Sequence, residues 1–295
     1  MSEPRHHHYL PIFYLKRWCN SDGEICRFDR PHGRKLKTHY VVPKGTGYEV
    51  DLYTIPGVAT EGAQAMEKQF MAPIDDDAAK ALEFLENHPS DRDWPTKLRS
   101  SWSRFLTTQL MRAPEDVEQM KSSIAEEWAK LDPSVIADRA GKTLEEVLAQ
   151  QGKESPEEIE RQALRILRSL MDHSGIGQVI NDMVWSCIEI PPNAYALLTS
   201  DRPVWATATL SEADAMISMP VGPKRLFVAR RSSYTQLRST ADLAKGANRL
   251  VVTHARRYVY GADDLQFKFV EKHMSKIRTP SLLGRLARHY GNTEV

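Results

Sequence analysis

The sequence is poor in cysteine and has no long apolar run, and each absence excludes a class of protein. Only three of the 295 residues are cysteine, Cys19, Cys26 and Cys187, and no two of them form a C-x-x-C pair. Such a small, odd number argues against a disulfide framework or a cysteine-rich zinc site and favours a reducing, cytoplasmic location. No segment approaches the roughly 18 apolar residues of a membrane helix, and no apolar secretion signal follows Met1. We therefore expect neither a membrane span nor export.

The sequence also lacks an excess of charge of one sign. Lys and Arg number 40 against 39 Asp and Glu, which gives a formal net charge of +1. A field of the whole molecule that attracts nucleic acid or a membrane surface is thereby excluded. Basic pairs such as Arg256-Arg257 could contact phosphates locally, but scattered basic pairs usually belong to a solvated surface. We expect no membrane partner and place nucleic acid behind small molecules and proteins.

Familiar catalytic and nucleotide-binding motifs are absent. The loop Gly45-Thr46-Gly47 lacks the spacing of a P-loop or a dinucleotide fingerprint, and no Lys-Ser/Thr pair follows it. The sequence contains neither a G-x-S-x-G elbow nor an H-E-x-x-H helix, which removes the common serine hydrolases and zinc proteases. No internal repeat is visible either. Any site must therefore be assembled from residues that are dispersed along the chain.

The patterns that are present predict an α+β fold. A hydrophobic content of 41% is enough for a substantial core. Apolar residues at helical spacing predict helices at 11–18, 63–87, 96–112, 114–131, 156–171, 178–187, 242–258 and 263–277. Strand-forming residues predict a hairpin over 25–28 and 35–42, and one later antiparallel sheet with strands at 195–198, 204–206, 215–219 and 226–229. We expect a helix-rich body packed on a small, mainly antiparallel sheet.

Two segments are expected to lie outside this body. Residues 132–160 are charged and contain few large apolar residues, which predicts a peripheral helical excursion. Residues 278–295 form a basic, weakly patterned tail. Because the prolines are scattered and form no linker, we expect a single domain that spans residues 1–295.

A resemblance begins between His7 and Trp18, where a histidine pair leads into a proline and a short aromatic, basic helix. The same order of features continues with Asp51-Leu52-Tyr53-Thr54, with Glu67, with Arg112-Ala113-Pro114 and with Leu198-Thr199-Ser200-Asp201-Arg202-Pro203-Val204. Over residues 6–262 the sequence resembles the bacterial family catalogued as domain of unknown function 4238. Met219–Pro223 replaces the family's Pro-Leu-Ser-Pro-like turn, so no serine is available there. The resemblance implies a family but no activity.

The sharpest candidates for chemistry are His7, His8 and Asp201. Imidazole titrates near neutrality and serves as a metal ligand or a general base. Because adjacent side chains point apart, we expect at most one of the two histidines to reach a given ligand, and a purely orienting hydrogen bond is an equal alternative. Asp201 follows an apolar run, where a carboxylate either projects into a cleft or closes a local turn.

Glu67 and Arg112 lie on predicted helices, where charged side chains are usually solvated. If they face the interior instead, Arg112 is a fork-shaped clamp for phosphate or carboxylate, and Glu67 is its partner or a metal ligand. The run Asp75-Asp76-Asp77 is more typical of a charged surface than of a metal site, because three consecutive acids do not converge.

Two functional hypotheses follow from these residues. The first is a hydrolase acting on a phosphorylated small molecule or phosphodiester, with His7, His8 and Asp201 as catalytic groups and Arg112 binding the substrate. The cofactor is unknown, and a divalent metal would be held by His8, Glu67 and Asp201. This hypothesis requires the histidine pair and Asp201 to converge, although they lie far apart in sequence. The second is a non-catalytic module that binds a protein or a ligand, in which the same residues join the N-terminal segment to the central sheet.

Overall fold

The computed structural model describes residues 5–31, 35–88, 94–130, 143, 145, 155–207, 209–232 and 239–274. Within these ranges it combines long helices with small antiparallel sheets, so the predicted α+β class is confirmed. Most of the predicted excursion at 132–160, and the whole predicted tail at 278–295, lie outside the described residues. In the described part of the chain, no helix is long and apolar enough to cross a membrane.

Helices and strands alternate irregularly along the chain. The helices are α1 Ile12–Leu15, α2 Thr60–Ala63, α3 Ala72–Asn87, α4 Thr96–Gln109, α5 Pro114–Lys130, α6 Pro156–Met171, α7 Ser174–Asn181, α8 Thr240–His254 and α9 Phe267–His273. The strands are β1 His6–His8, β2 Ile25–Asp29, β3 Lys37–Val41, β4 Tyr48–Val50, β5 Val184–Glu189, β6 Thr199–Ser200, β7 Trp205–Ala206, β8 Met216–Gly222, β9 Arg225–Arg230 and β10 Tyr258–Gly261. A 3₁₀ turn at Lys16–Trp18 extends α1, and a π-helical turn at Met66–Met71 leads directly into α3.

In the described ranges the strands form three antiparallel sheets, with orders β1-β4, β3-β2-β10-β6 and β5-β9-β8-β7. The predicted β2–β3 hairpin is confirmed, with Ile25 opposite Val41. The prediction that the late strands form a single sheet was wrong. In the structure β6 pairs with β10, whereas β7, β8 and β9 join β5 in another sheet. Two sheets form because β5, most of which was expected to be helical, and β10, which was not predicted as a strand, supply strands to pair with.

The helix predicted over 178–187 is correct only in its first half. The helix α7 ends at Asn181, and Val184–Glu189 is a strand whose partner is β9. The residues of β5 are mainly β-branched, aromatic or small, which suits a pleated surface better than a helix. Trp185, buried in this strand, packs edge to face on Phe227 of β9, with their ring centroids 5.3 Å apart. Tertiary packing therefore decides the conformation of this segment.

One large hydrophobic cluster extends from Tyr9 to Tyr260 and includes the predicted apolar stripe of α4. Trp102, Phe105 and Leu106 are fully buried, which confirms the predicted orientation of this helix. The indole of Trp102 lies edge to face on Phe227 at 5.7 Å between ring centroids. The stripe of α4 thus packs against the sheet that contains β9.

Polar bonds fasten α1 and the following turn to the distant end of the chain. The Tyr14 hydroxyl lies 2.6 Å from Oγ1 of Thr199 and donates to the Pro220 carbonyl at 2.8 Å. The indole N–H of Trp18 donates to the Leu197 carbonyl at 2.8 Å. These bonds hold β1, immediately before α1, in a fixed position against the body.

Candidate functional site

His7 and His8 are adjacent in β1 and lie on opposite faces of the strand, because side chains alternate along a strand. His7 is fully buried, and its Nδ1 accepts the Tyr53 backbone N–H at 2.9 Å. Its Nε2 therefore carries the proton and donates to Oε1 of Gln64. The Gln64 amide in turn donates to Oγ1 of Thr54 at 3.1 Å. His7 thus links β1 to the segment 53–64, and both of its ring nitrogens serve that link.

His8 faces the other side of β1 and is only partly buried. Its Nε2 lies 3.3 Å from the Lys44 carbonyl. Since a carbonyl only accepts, Nε2 carries the proton in the neutral ring and Nδ1 keeps its lone pair. Burial lowers the pKa of His8, with a smaller lowering contribution from Arg112. His8 is therefore a neutral imidazole at neutral pH, with one ring nitrogen able to accept a proton.

Arg112 lies in the short connection between α4 and α5 and is 1% exposed. Its Nη1 and Nη2 donate to the two carboxylate oxygens of Asp75 at 2.7 and 3.0 Å, and Nη2 also donates to the His8 carbonyl at 2.6 Å. The Arg112 carbonyl accepts from the Tyr53 hydroxyl at 2.8 Å. Arg112 faces the interior, as one sequence alternative required. The carboxylate bound by the Arg112 guanidinium group comes from the chain itself. The role of Arg112 in binding a substrate stays a prediction.

Asp75 is the residue of this cluster that sequence reasoning passed over. It turns inward to Arg112, whereas Asp77 pairs with Lys80 at the surface. The surface interpretation of the three consecutive aspartates therefore fails for the first of them. Its position in the first turn of α3, behind Ile74, was the available signal, because one residue in such a run must lie nearest the buried face.

Glu67 occupies the π-helical turn at Met66–Met71. Such turns are rare and occur frequently at functional sites. Its Oε2 is buried and has no hydrogen-bond partner among the residues that the structure describes. Burial raises the pKa of Glu67 to about 7, even though the nearby Arg112 acts in the opposite direction. At neutral pH the Glu67 carboxyl group is therefore divided between its protonated and ionised forms.

Asp201 follows β6 and is 4% exposed. Its Oδ1 accepts the backbone N–H of Arg256 at 2.9 Å, and its Oδ2 accepts that of Arg257 at 2.5 Å. Burial raises the pKa of Asp201 to about 6, although these bonds favour the ionised form. The carboxylate therefore holds the turn that precedes β10. Its charge also reaches the buried phenol of Tyr9, the residue after His8, but convergence with the histidines stays a prediction.

Two of the three side chains considered as metal ligands have other partners. Both oxygens of Asp201 are bonded to main-chain N–H groups, and His8 donates to a carbonyl. Among the residues that the structure describes, no group of three or more His, Cys, Asp or Glu side chains is arranged to hold a metal ion. His8, Glu67 and Asp201 therefore do not fit a shared divalent metal.

A cavity of about 770 Å³ lies beside the start of α5 and is lined in part by Leu52, which precedes Tyr53, and by Pro114, two residues after Arg112. Its wall carries five acidic and three basic residues: Glu49, Asp51, Glu115, Glu118, Glu160, Lys121, Arg256 and Arg257. Arg257 is already paired with Glu49 and Glu115, each at 2.6 Å. The surplus of negative charge makes this cavity unsuitable for a phosphorylated substrate.

Comparison with known proteins gives one match. The model of a family described as protein of unknown function, DUF4238, matches residues 6–264. No curated protein and no solved structure matches the chain.

Proposed function

Because the chain belongs to the DUF4238 family of proteins of unknown function, we propose an activity from the chemistry of its own side chains. The protein is a hydrolase acting on a phosphorylated small molecule or a phosphodiester, by acid–base chemistry at Glu67 and His8. The observation that carries this proposal is the Glu67 carboxyl group, whose pKa burial raises to about 7. Groups with such pKa values cluster at active sites because efficient proton transfer needs a pKa near the working pH.

Glu67 and His8 each carry out one of the two proton transfers of hydrolysis. Glu67 in its protonated form donates to the leaving oxygen, while the neutral His8 accepts a proton from the attacking water at Nδ1. Arg112 and Asp75 affect the pKa of both groups, so the two share the same charged neighbours. In active sites, the general acid and the general base are typically a pair of titratable groups whose environments give them different pKa values.

Arg112 supports the reaction as a fixed positive charge. Asp75 and the His8 carbonyl occupy its terminal nitrogens, whereas its buried Nε has no hydrogen-bond partner in the described part of the chain. A cation that needs no reorganisation stabilises negative charge as it develops in a transition state. In this proposal the substrate phosphate approaches Arg112 without displacing Asp75.

The proposal does not use a divalent metal, because the donors named from the sequence do not fit one. His7 and Asp201 are not part of the proposed catalytic set. Both ring nitrogens of His7 are hydrogen-bonded to Tyr53 and Gln64, and the carboxylate of Asp201 holds a backbone turn. Both act as positioning residues. A cytoplasmic location forms part of the proposal, and the three free thiols are consistent with it.

The second candidate function is a non-catalytic module that binds a protein or a ligand. It is favoured by two contacts of the Arg112 guanidinium group, which hydrogen-bonds to Asp75 and to the His8 carbonyl and thereby links α3 to β1. In that case the raised pKa of Glu67 is a consequence of burial alone.

The experiment compares hydrolysis of p-nitrophenyl phosphate and bis-p-nitrophenyl phosphate by the wild type and Glu67→Gln. The matched control is Glu83→Gln, which changes an exposed glutamate of α3. We expect Glu67→Gln to lower the rate by about 10²- to 10⁴-fold, the usual contribution of a general acid, and the control to leave it unchanged. The wild-type rate should fall as the pH rises through about 7, and this alkaline limb should be missing in Glu67→Gln. Equal turnover by Glu67→Gln and Glu83→Gln, or no turnover of either substrate by the wild type, would favour the binding module.

A further inference from the structure

A second pocket, of about 440 Å³, lies at the C-terminal end of α3. Its wall combines the last residues of α3, the side chain of Arg17 and the β8–β9 turn around Lys224. Two segments singled out in the sequence therefore meet here: the aromatic, basic segment that ends at Trp18 and the Pro-Val-Gly-Pro turn. The hydrolase proposal uses neither of them.

The pocket carries a surplus of positive charge. Among the described residues of its wall, the basic side chains are Arg17, Lys224 and Arg225, and the acidic one is Glu86. Glu86 pairs with Arg17, and Nη1 of Arg225 donates to the Glu86 backbone carbonyl at 2.6 Å. Burial, and then the charge of Arg225, lowers the pKa of Arg17, as expected for cations that lack enough counter-charge.

The β8–β9 turn is a rigid platform for these cations. The backbone N–H of Leu197 donates to the Pro223 carbonyl at 2.7 Å, and that of Ile190 donates to the Lys224 carbonyl at 2.8 Å. A bulge between Pro220 and Gly222 precedes the turn. Bulges re-aim side chains and often lie beside functional sites. The side chain of Lys224 is exposed, whereas the backbone that carries it is fixed from both sides.

We propose that this pocket binds the phosphate group of a small phosphorylated molecule. Two guanidinium groups and an ammonium group around a walled space match the charge and the oxygen acceptors of a phosphate monoester. Among the residues that the structure describes, the pocket wall contains no aromatic side chain, so recognition depends on the phosphate and not on stacking with a base. Its volume suits a small molecule.

The phosphate pocket is a different place from the Glu67 cluster. Both lie along α3, with Asp75 near the start of the helix and Glu86 near its end. At about 1.5 Å per residue, these positions are separated by roughly 17 Å along the helix axis. Ligand binding in the pocket is therefore independent of whether Glu67 is catalytic.

The test is isothermal titration with inorganic pyrophosphate at constant ionic strength. Lys224→Ala removes one exposed cation from the pocket, and Lys80→Ala removes an exposed cation from the middle of α3 as the matched control. We expect saturable binding to the wild type and about tenfold weaker binding to Lys224→Ala, a change of about 1.4 kcal/mol. Lys80→Ala and Glu67→Gln should bind like the wild type.

Three results would overturn the phosphate pocket. The first is no heat of binding at millimolar pyrophosphate. The second is an equal loss of affinity in Lys224→Ala and Lys80→Ala, which would indicate a general charge effect. Loss of binding in Glu67→Gln alone would place the phosphate at the Glu67 cluster and contradict the pocket while supporting the proposed function. Because the titration needs no turnover, failure of the hydrolase assay leaves its outcome unaffected.

Discussion

At the scale of the residue, the raised pKa of Glu67 makes the stability of the fold depend on pH. The ordinary pKa of 4.5 applies to the unfolded chain, whereas burial raises it to about 7 in the folded protein. Between these values the folded protein holds a proton that the unfolded chain has released. The stabilisation is therefore complete below about pH 4.5 and is lost as the pH rises through about 7.

We expect Glu67→Gln to remove this part of the pH dependence, because the amide does not titrate. The difference in the free energy of unfolding between variant and wild type should change by about 3 kcal/mol from pH 4.5 to above pH 7, in favour of the variant at high pH. Urea unfolding over a pH series measures it, with Glu83→Gln as the control. Parallel curves for wild type and Glu67→Gln would contradict the assigned environment of Glu67.

His7 and His8 of β1 should differ in how much stability their substitution costs. His7→Ala leaves the Tyr53 N–H and the Gln64 amide oxygen buried without partners, so we expect a loss of about 2 to 4 kcal/mol in the free energy of unfolding. His8→Ala removes one long bond to Lys44 and should cost less than about 1 kcal/mol while lowering hydrolysis. Denaturant unfolding of both variants provides the measurement. A larger stability loss in His8→Ala than in His7→Ala would reverse the assigned roles.

The inward direction of Arg112 and Glu67 could be inferred from the sequence only as one of two alternatives. Both lie on helices or at their ends, where a charged residue faces solvent unless a distant partner holds it inside. For Arg112 that partner is Asp75, 37 residues earlier in the chain. Pairings of this range depend on how α3 and α4 pack, and no local pattern encodes them.

At the scale of the element, the apolar stripe of α4 leads to a stability prediction. Trp102 is fully buried between Phe105 and Phe227. Trp102→Ala should cost about 3 to 5 kcal/mol because it leaves a large cavity. Trp102→Phe keeps much of the packing and should cost less, since the indole N–H makes no hydrogen bond to any residue that the structure describes. Guanidinium unfolding gives both values, and a cost below about 1 kcal/mol for Trp102→Ala would contradict the packing of α4.

Elements with strong local signals were predicted well. The helix α6 begins and ends where the sequence placed it, with Pro156 in its first turn and Oγ of Ser155 accepting the Glu158 N–H at 3.2 Å. The strands β5 and β10 were missed because their partners lie far away in sequence. Val184 pairs with Arg230, and Val259 pairs with both Phe28 and Ser200. Short apolar runs fit a helix or a strand equally well until such a partner is known.

At the scale of the whole molecule, we propose that the chain unfolds as one domain. The cluster that runs from Tyr9 to Tyr260 contains Trp18, Trp102 and Trp185, so it joins the N-terminal segment, the helical middle and the late sheet. Tryptophan fluorescence and far-ultraviolet circular dichroism should therefore report the same denaturation midpoint. Separate midpoints for the two probes would indicate two independent units.

The bond between Tyr14 and Thr199 has a consequence for synthesis on the ribosome. Its partners are separated by 185 residues. At about 5 to 20 residues per second, roughly 10 to 40 s pass between the emergence of α1 and that of its partner. During that interval Tyr14 and Trp18 lack their native hydrogen-bond partners at Thr199, Pro220 and Leu197, and their aromatic surface is open to chaperones. A nascent chain stalled before Leu197 should therefore be captured by a chaperone, whereas one released after β10 should not.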